Sequence, residues 1–165
     1  MNVSANTDFL ALVRHPFKFR LYTLMKLPSA FFSGVRVRSL TEESCGVSVP
    51  FKWFSQNPFR STYFACLAMA AEMSTGVLAL LYLPKEQSSV SMLVVKLEAE
   101  YFKKATGRTL FICDQGKDFQ QAIQQALQTG EARQLTATSS GRNEAGELIA
   151  RFHVTWSFKS KSRAT

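Results

Sequence analysis

The chain has 165 residues, which favours one compact domain large enough to bury a core. Hydrophobic residues make up 46% and charged residues 19%, a balance that excludes a disordered chain or a collagen-like repeat. Twenty lysines and arginines against twelve acids leave a net charge of +8, which points to a polyanion: nucleic acid, an anionic membrane face or a phosphate-bearing small molecule.

Residues 7–27 read as helix, with Phe9, Leu10, Leu12 and Val13 followed by Phe17, Leu21 and Leu24, restarted at Pro16. Val35 and Val37 alternate with Arg36 and Arg38, predicting a half-buried strand. After a turn at 41–44, Cys45, Val47, Val49 and Phe51 predict a second. The loop 55–60 leads into Phe64–Leu83, a helix-forming stretch apolar almost throughout, which Pro84 stops. Its length would suit a membrane span, but Glu72 sits near its centre with Ser74, Thr75 and Gly76 close behind. A helix apolar all round is also what the middle of a soluble domain requires, and that reading is preferred.

In the second half, Leu93, Val95, Leu97, Ala99 and Tyr101 alternate with Val94, Lys96, Glu98 and Glu100, predicting a long strand over about 91–104. Gly107 turns the chain into a strand at 108–113, and Asp114 is placed to cap a helix with the stripe Phe119, Ile123, Ala126 and Leu127, ended by Gly130. Strands at about 132–140 and 147–158 follow, the last with Leu148, Ala150, Phe152, Val154, Trp156 and Phe158 on one face. Three scattered cysteines, Cys45, Cys66 and Cys113, make neither a disulfide framework nor a zinc spacing, so no metal or cofactor is expected. With no basic stretch preceding an apolar one at the N-terminus, a cytoplasmic location is expected.

The order helix, strand, strand, long apolar helix, then strands with one helix inserted predicts an α+β hotdog fold, an antiparallel sheet wrapped around a long central helix. We read 1–165 as a single such domain, with an N-terminal helical extension over about 1–30. On the central helix, Ala65, Ala68, Glu72, Gly76 and Ala79 share a face, so one carboxylate sits in a groove of small residues. Desolvation there would raise its pKa toward the range of a general base. The same carboxylate could equally be a structural group hydrogen-bonded to a neighbouring chain.

The stretch Asn57-Pro58-Phe59-Arg60-Ser61-Thr62-Tyr63-Phe64-Ala65, continuing to Glu72, resembles the loop and helix start of phenylacetyl-CoA-type hotdog thioesterases. In that motif an Asn precedes a Gly-Thr-Val-His-Gly-Gly run, with an acid fifteen positions after the Asn. Asn57 and Glu72 have that spacing. Glu131 and the run Gly146-Glu147-Leu148-Ile149-Ala150-Arg151 look like a poorly characterised bacterial branch of the superfamily, and the resemblance covers about 20–160. Arg60 stands for the first glycine, Tyr63 for the His, and Phe64 and Ala65 for the paired glycines.

The resemblance implies hydrolysis of acyl-CoA thioesters. Glu72 would activate water or attack the thioester, Asn57 would orient the water or carbonyl, and N–H groups around Phe64 and Ala65 would hold the oxyanion. Tyr63, Phe64, Ala65, Ala68, Gly76 and Ser91 would line the substrate, although Ser88, Ser89 and Ser91 also read simply as a loop. The phosphates of coenzyme A would account for the basic surplus, with neither nucleic acid nor membrane as partner. The alternative is a non-catalytic acyl-CoA or fatty-acid binding hotdog protein, favoured by the missing glycines and an interior expected to be rich in Phe. An open strand edge over 91–104 predicts a homodimer or dimer of dimers, with Asn57 of one chain near Glu72 of the other.

Overall fold

An eighteen-residue helix without a polar face, α4 (Phe64–Leu81), must be covered on nearly every side, and the rest of the chain does this. The computed structural model describes residues 3–84 and 90–161. Six strands form one antiparallel sheet: β1 (Arg36–Leu40), β2 (Cys45–Val49), β3 (Val90–Tyr101), β4 (Thr109–Cys113), β5 (Arg133–Arg142) and β6 (Leu148–Ser160). Their order is β1-β2-β4-β5-β6-β3. Helix α4 lies across β2, β4, β5 and β6, which is the hotdog arrangement expected from the element order. By length and composition α4 would suit a membrane span, but most of it is buried here against the sheet.

The N-terminal segment folds as α1 (Thr7–Arg14), α2 (Pro16–Lys26) and α3 (Pro28–Phe32). Asn6 caps α1 by accepting the Phe9 N–H, and Pro16 and Pro28 open the next two helices, where a missing N–H costs nothing. Phe9, Val13, Phe19 and Ala30 carry these helices into the core. The Asn6 N–H donates to the Leu81 carbonyl at 2.7 Å, tying the segment to the end of α4.

Several expectations need correction. The central helix ends at Leu81, not Leu83, with Tyr82 as its C-cap. Asp114 caps nothing: α5 (Gly116–Thr129) begins after Gln115, whose side chain binds Asp118 and the Thr138 N–H instead. Gly130 does end α5, in the left-handed region at φ 73°. The interior holds only six of the fourteen phenylalanines; Phe17, Phe32, Phe54, Phe59, Phe64 and Phe102 are exposed. Ser91 lies in β3, not a loop, while Ser88 and Ser89 fall outside the described residues.

The long strand departs most. A register shift at Val95 lets Val94 pair with Trp156 and Lys96 with Thr155, so the inward face changes from even to odd residues. Met92, Val94, Leu97, Ala99 and Tyr101 therefore share the face of α4, and the apparent stripe Leu93–Tyr101 is split between two faces. Being an edge strand beyond the reach of α4, β3 leaves even its inward Leu97 46% exposed.

One glycine marks a close approach. The Gly116 N–H donates to the Glu43 carbonyl at 3.0 Å, and a Cβ there would fall onto the Glu42 carbonyl oxygen and within 2.8 Å of Glu43 Cα. Both neighbours are backbone and cannot swing aside. Gly116→Ala should therefore destabilise the fold by about 2 kcal/mol or more, read as a lower midpoint in urea unfolding with an unchanged slope.

Candidate active site

Glu72 lies two turns into α4, on the one stripe of the helix that is not fully enclosed: Ala65, Ala68, Met69 and Glu72 are half-buried while residues on either side of them are covered. Its Oε1 sits over Gly76, 3.3 Å from where a Cβ would be, and the Trp156 ring comes equally close to that point. Any side chain larger than hydrogen at residue 76 would press on both. Among the described residues, no hydrogen bond or ion pair reaches the Glu72 carboxylate. Burial without a compensating donor pushes its pKa up from the ordinary carboxylate range.

The turn beneath it is firmly held. Trp156 Nε1 donates to Thr75 Oγ1 at 2.9 Å, and Thr75 Oγ1 donates to the Glu72 carbonyl at 2.8 Å. From the neighbouring position, Ser74 Oγ meets Ser139 Oγ of β5 at 2.8 Å. The polar groups inside this apolar helix are thus satisfied in pairs, leaving the carboxylate as the exception. Trp156 sits opposite Val94 of β3, so the uncovered inward face of the edge strand begins beside the indole that packs near Glu72.

Asn57 organises the loop before α4. Its Oδ1 accepts the N–H groups of Phe59 and Ser61 at 3.0 and 3.2 Å and the Ser61 hydroxyl at 3.3 Å. The amide nitrogen of Asn57 has no acceptor among the described residues. Arg60, standing for the family's first glycine, takes the left-handed conformation at φ 57°, so the backbone shape that favours glycine is kept with an arginine in it. The helix starts at Tyr63 without a side-chain cap, and no acceptor among the described residues meets the Phe64 and Ala65 N–H groups.

An open cavity of about 570 Å³ adjoins this helix start, a volume suited to a small-molecule ligand. Asn57, Phe59, Tyr63, Phe64 and Leu67 form one wall, and Tyr101, Phe102, Lys103, Lys104 and Ala105 form the other. The Thr62 N–H donates to the Ala105 carbonyl at 2.8 Å and joins the walls.

Of the residues singled out from sequence, Asn57, Tyr63 and Phe64 therefore meet at one cavity, which Glu72 does not line. Eight residues of helix separate Phe64 from Glu72, about 12 Å along the axis. Ala65 and Ala68 stay on the half-open stripe with Glu72, and Gly76 lies buried below it. Ser91 pairs with Lys159 on the sheet face away from α4, so within one chain it is not brought to the others. Sequence reasoning missed Thr75 and Trp156 as the support of Glu72, and the 101–105 wall. Polar Thr75 inside an apolar helix was the only signal.

Comparison with known proteins places the chain in a family and among related folds. A family model described as a domain of unknown function, DUF4442, matches residues 19–158. No curated protein matches. A Pseudomonas aeruginosa protein of unknown function, described as a probable thioesterase, superposes with TM-score 0.77 at 19% identity, covering 98% of this chain and 100% of that one. A Chlorobaculum tepidum protein of unknown function reaches 0.76 at 14% identity, covering 97% and 99%. A Haemophilus influenzae thioesterase reaches 0.65 at 12% identity, covering 88% and 92%. At these identities the likeness is one of fold.

The raised pKa of Glu72 has a consequence for stability. A carboxyl whose folded pKa exceeds its unfolded value contributes fully below the unfolded value, and that contribution is lost as pH rises through the folded one. Glu72→Gln carries no such titration. The stability of Glu72→Gln relative to the parent should therefore rise from acid to neutral pH, as chemical denaturation at a series of pH values would show; a difference independent of pH would contradict the desolvated carboxylate.

Proposed function

The chain belongs to the DUF4442 family, and within its hotdog fold we propose that it is a thioesterase-like hydrolase of acyl-CoA thioesters, with Glu72 as general base. One observation carries the reading: the half-open stripe of the central helix holds a single carboxylate, partly desolvated and without a donor among the described residues, beside the small side chains of Ala65 and Ala68. Burial makes such a group a stronger base than a solvated glutamate, which suits it to take a proton from water. Water activated by Glu72 would add to the thioester carbonyl, and the carbonyl oxygen would take up negative charge. The free N–H groups at the start of α4, at the positive end of its dipole, are suited to that charge. Collapse of the adduct would expel the coenzyme A thiolate and release the acid. Asn57, through its unpaired amide nitrogen, would hold the carbonyl or water, and Tyr63 and Phe64 would pack the substrate.

The separation of Glu72 from the Asn57 cavity within one chain supports assembly. The free edge of β3 exposes Leu93, Val95 and Leu97, a long apolar strand suited to pairing with a second copy. In such a homodimer, Asn57 and the helix start of one chain would approach Glu72 of the other. Lys103 and Lys104 at the cavity would meet the coenzyme A phosphates. A second reading, acyl-CoA binding without turnover, is favoured by Tyr63 and Phe64, whose exposed rings crowd the helix start at 4.8 Å from each other where the related motif has a His and a Gly.

Release of free thiol from a panel of acyl-CoA esters separates the two readings. Hydrolysis is expected, and Glu72→Gln should lower it by about two to four orders of magnitude while leaving acyl-CoA affinity little changed. Binding without turnover in the parent would favour the second reading, and a variant as fast as the parent would remove Glu72 from the mechanism. Light scattering should give at least twice the chain mass of 18.5 kDa, and Leu97→Glu should lower both mass and activity; a monomeric parent would count against the shared site.

A further inference from the structure

Helix α2 is apolar on two opposite faces. Phe19 and Thr23 are buried against the domain, while Phe17, Leu21, Leu24 and Met25 project from the other side. These four fall at i, i+4, i+7 and i+8, one continuous stripe, and Phe17 is 81%, Leu21 56% and Met25 65% exposed. The stripe does not stop at the helix end. Leu27 is also exposed, and beyond it a row of ring contacts runs from Phe31 to Phe32 at 5.4 Å, to Phe54 at 5.9 Å and to Trp53 at 5.4 Å. The Arg20 guanidinium lies 3.8 Å over the Phe31 ring and donates to the Phe31 and Val35 carbonyls, which locks α2 to this row. Solitary exposed apolar residues are ordinary, but an ordered run of this length calls for a surface to cover it.

Charge says which surface. From Phe9 to Thr41 the chain contains no acid, but it carries Arg14, Lys18, Arg20, Lys26, Arg36 and Arg38. All except Arg20 are exposed, and no described carboxylate forms an ion pair with any of them. Residues 44–71, which bear Trp53 and Phe54 of the aromatic row, add Lys52 and Arg60 and again no acid. On α2, Lys18 and Arg20 flank the apolar stripe from its two sides. Aromatic and aliphatic residues on one face with unopposed cations around them are the composition of a helix lying in the interface of an anionic bilayer. A nucleic acid would match the charge but leave Phe17, Leu21 and Met25 in water. We propose that α2 docks the protein onto anionic phospholipid membranes, Phe17, Leu21, Leu24 and Met25 entering the headgroup region and Lys18, beside the stripe, meeting the phosphates with Arg14 of the preceding helix. This departs from the expectation, drawn from sequence, that no membrane is a partner; the contact is peripheral and leaves α4 in the core. It goes beyond the thioesterase reading and holds whether or not the protein hydrolyses thioesters.

Flotation of the full chain with vesicles tests it. The protein should float with phosphatidylcholine vesicles containing phosphatidylglycerol, bind pure phosphatidylcholine at least about tenfold more weakly, and come off in molar salt. Leu21→Glu with Met25→Glu should lower binding by more than about tenfold while melting and acyl-CoA binding stay as in the parent. Lys18→Ser with Arg14→Ser, both exposed, should also weaken binding and decides the question if the first pair fails to fold. A parent that remains with the buffer, or variants that float as the parent does, would overturn the proposal. So would a fall in mass for Leu21→Glu with Met25→Glu in the absence of vesicles, since the stripe would then be a contact between copies.

Discussion

Everything in this domain depends on enclosing a helix that has no polar side. Helix α4 brings Leu67, Ala70, Ala71, Met73, Val77, Leu78 and Leu81 to the core, and only a curved sheet crossing it can cover so many directions at once. Strands β2, β4, β5 and β6 do so, and Ser74 and Thr75 are tolerated because Ser139 and Trp156 wait opposite them on β5 and β6. The stripe Ala65, Ala68, Met69 and Glu72 remains half-buried. A carboxylate there inherits the desolvation that the core imposes, and the small residues around it follow from the same closeness of helix and sheet.

The edge strand carries the second constraint. β3 is bonded on one side only, to β6, and its bulge at Val95 turns Leu97, Ala99 and Tyr101 toward the side of α4 without bringing them under it. The result is an apolar shelf that begins beside Trp156 and ends at Tyr101, on the wall of the Asn57 cavity. Glu72 does not line that cavity, but Trp156, which packs near Glu72, pairs with Val94 of the same strand. A partner strand laid along β3 would roof this shelf and exclude water from the carboxylate, strengthening each electrostatic interaction inside it.

Much of this was legible in the residues, and the failures are instructive. The central helix shows in its composition, the strand pairs in their alternation, and the stop of α5 in Gly130. The fifteen-residue spacing of Asn57 and Glu72 correctly placed one on the loop and one on the helix it feeds. The bulge at Val95 was illegible because Leu93 to Tyr101 alternate without a flaw, and only pairing with β6 breaks the phase. Asp114 looked like a cap because the chain gives no sign that Gly116 must press against Glu42 and Glu43, which sets where α5 can begin. Abundant phenylalanine suggested a Phe-filled interior, yet composition cannot distinguish Phe119 in the core from Phe17 in solvent, and both faces of α2 are apolar. The hydrogen bond from Trp156 to Thr75, which holds the turn beneath Glu72, spans 81 residues of sequence, beyond any local pattern.

The central claim is that α4 holds a half-buried, partly desolvated carboxylate with no hydrogen-bond donor among the described residues. Titration of the Glu72 side-chain carboxyl by carbon NMR, assigned by its loss in Glu72→Gln, measures this directly. The account predicts a midpoint displaced upward from the ordinary glutamate range, because burial opposes the charged form. A midpoint within or below that range would show a solvated or hydrogen-bonded carboxylate and would contradict it.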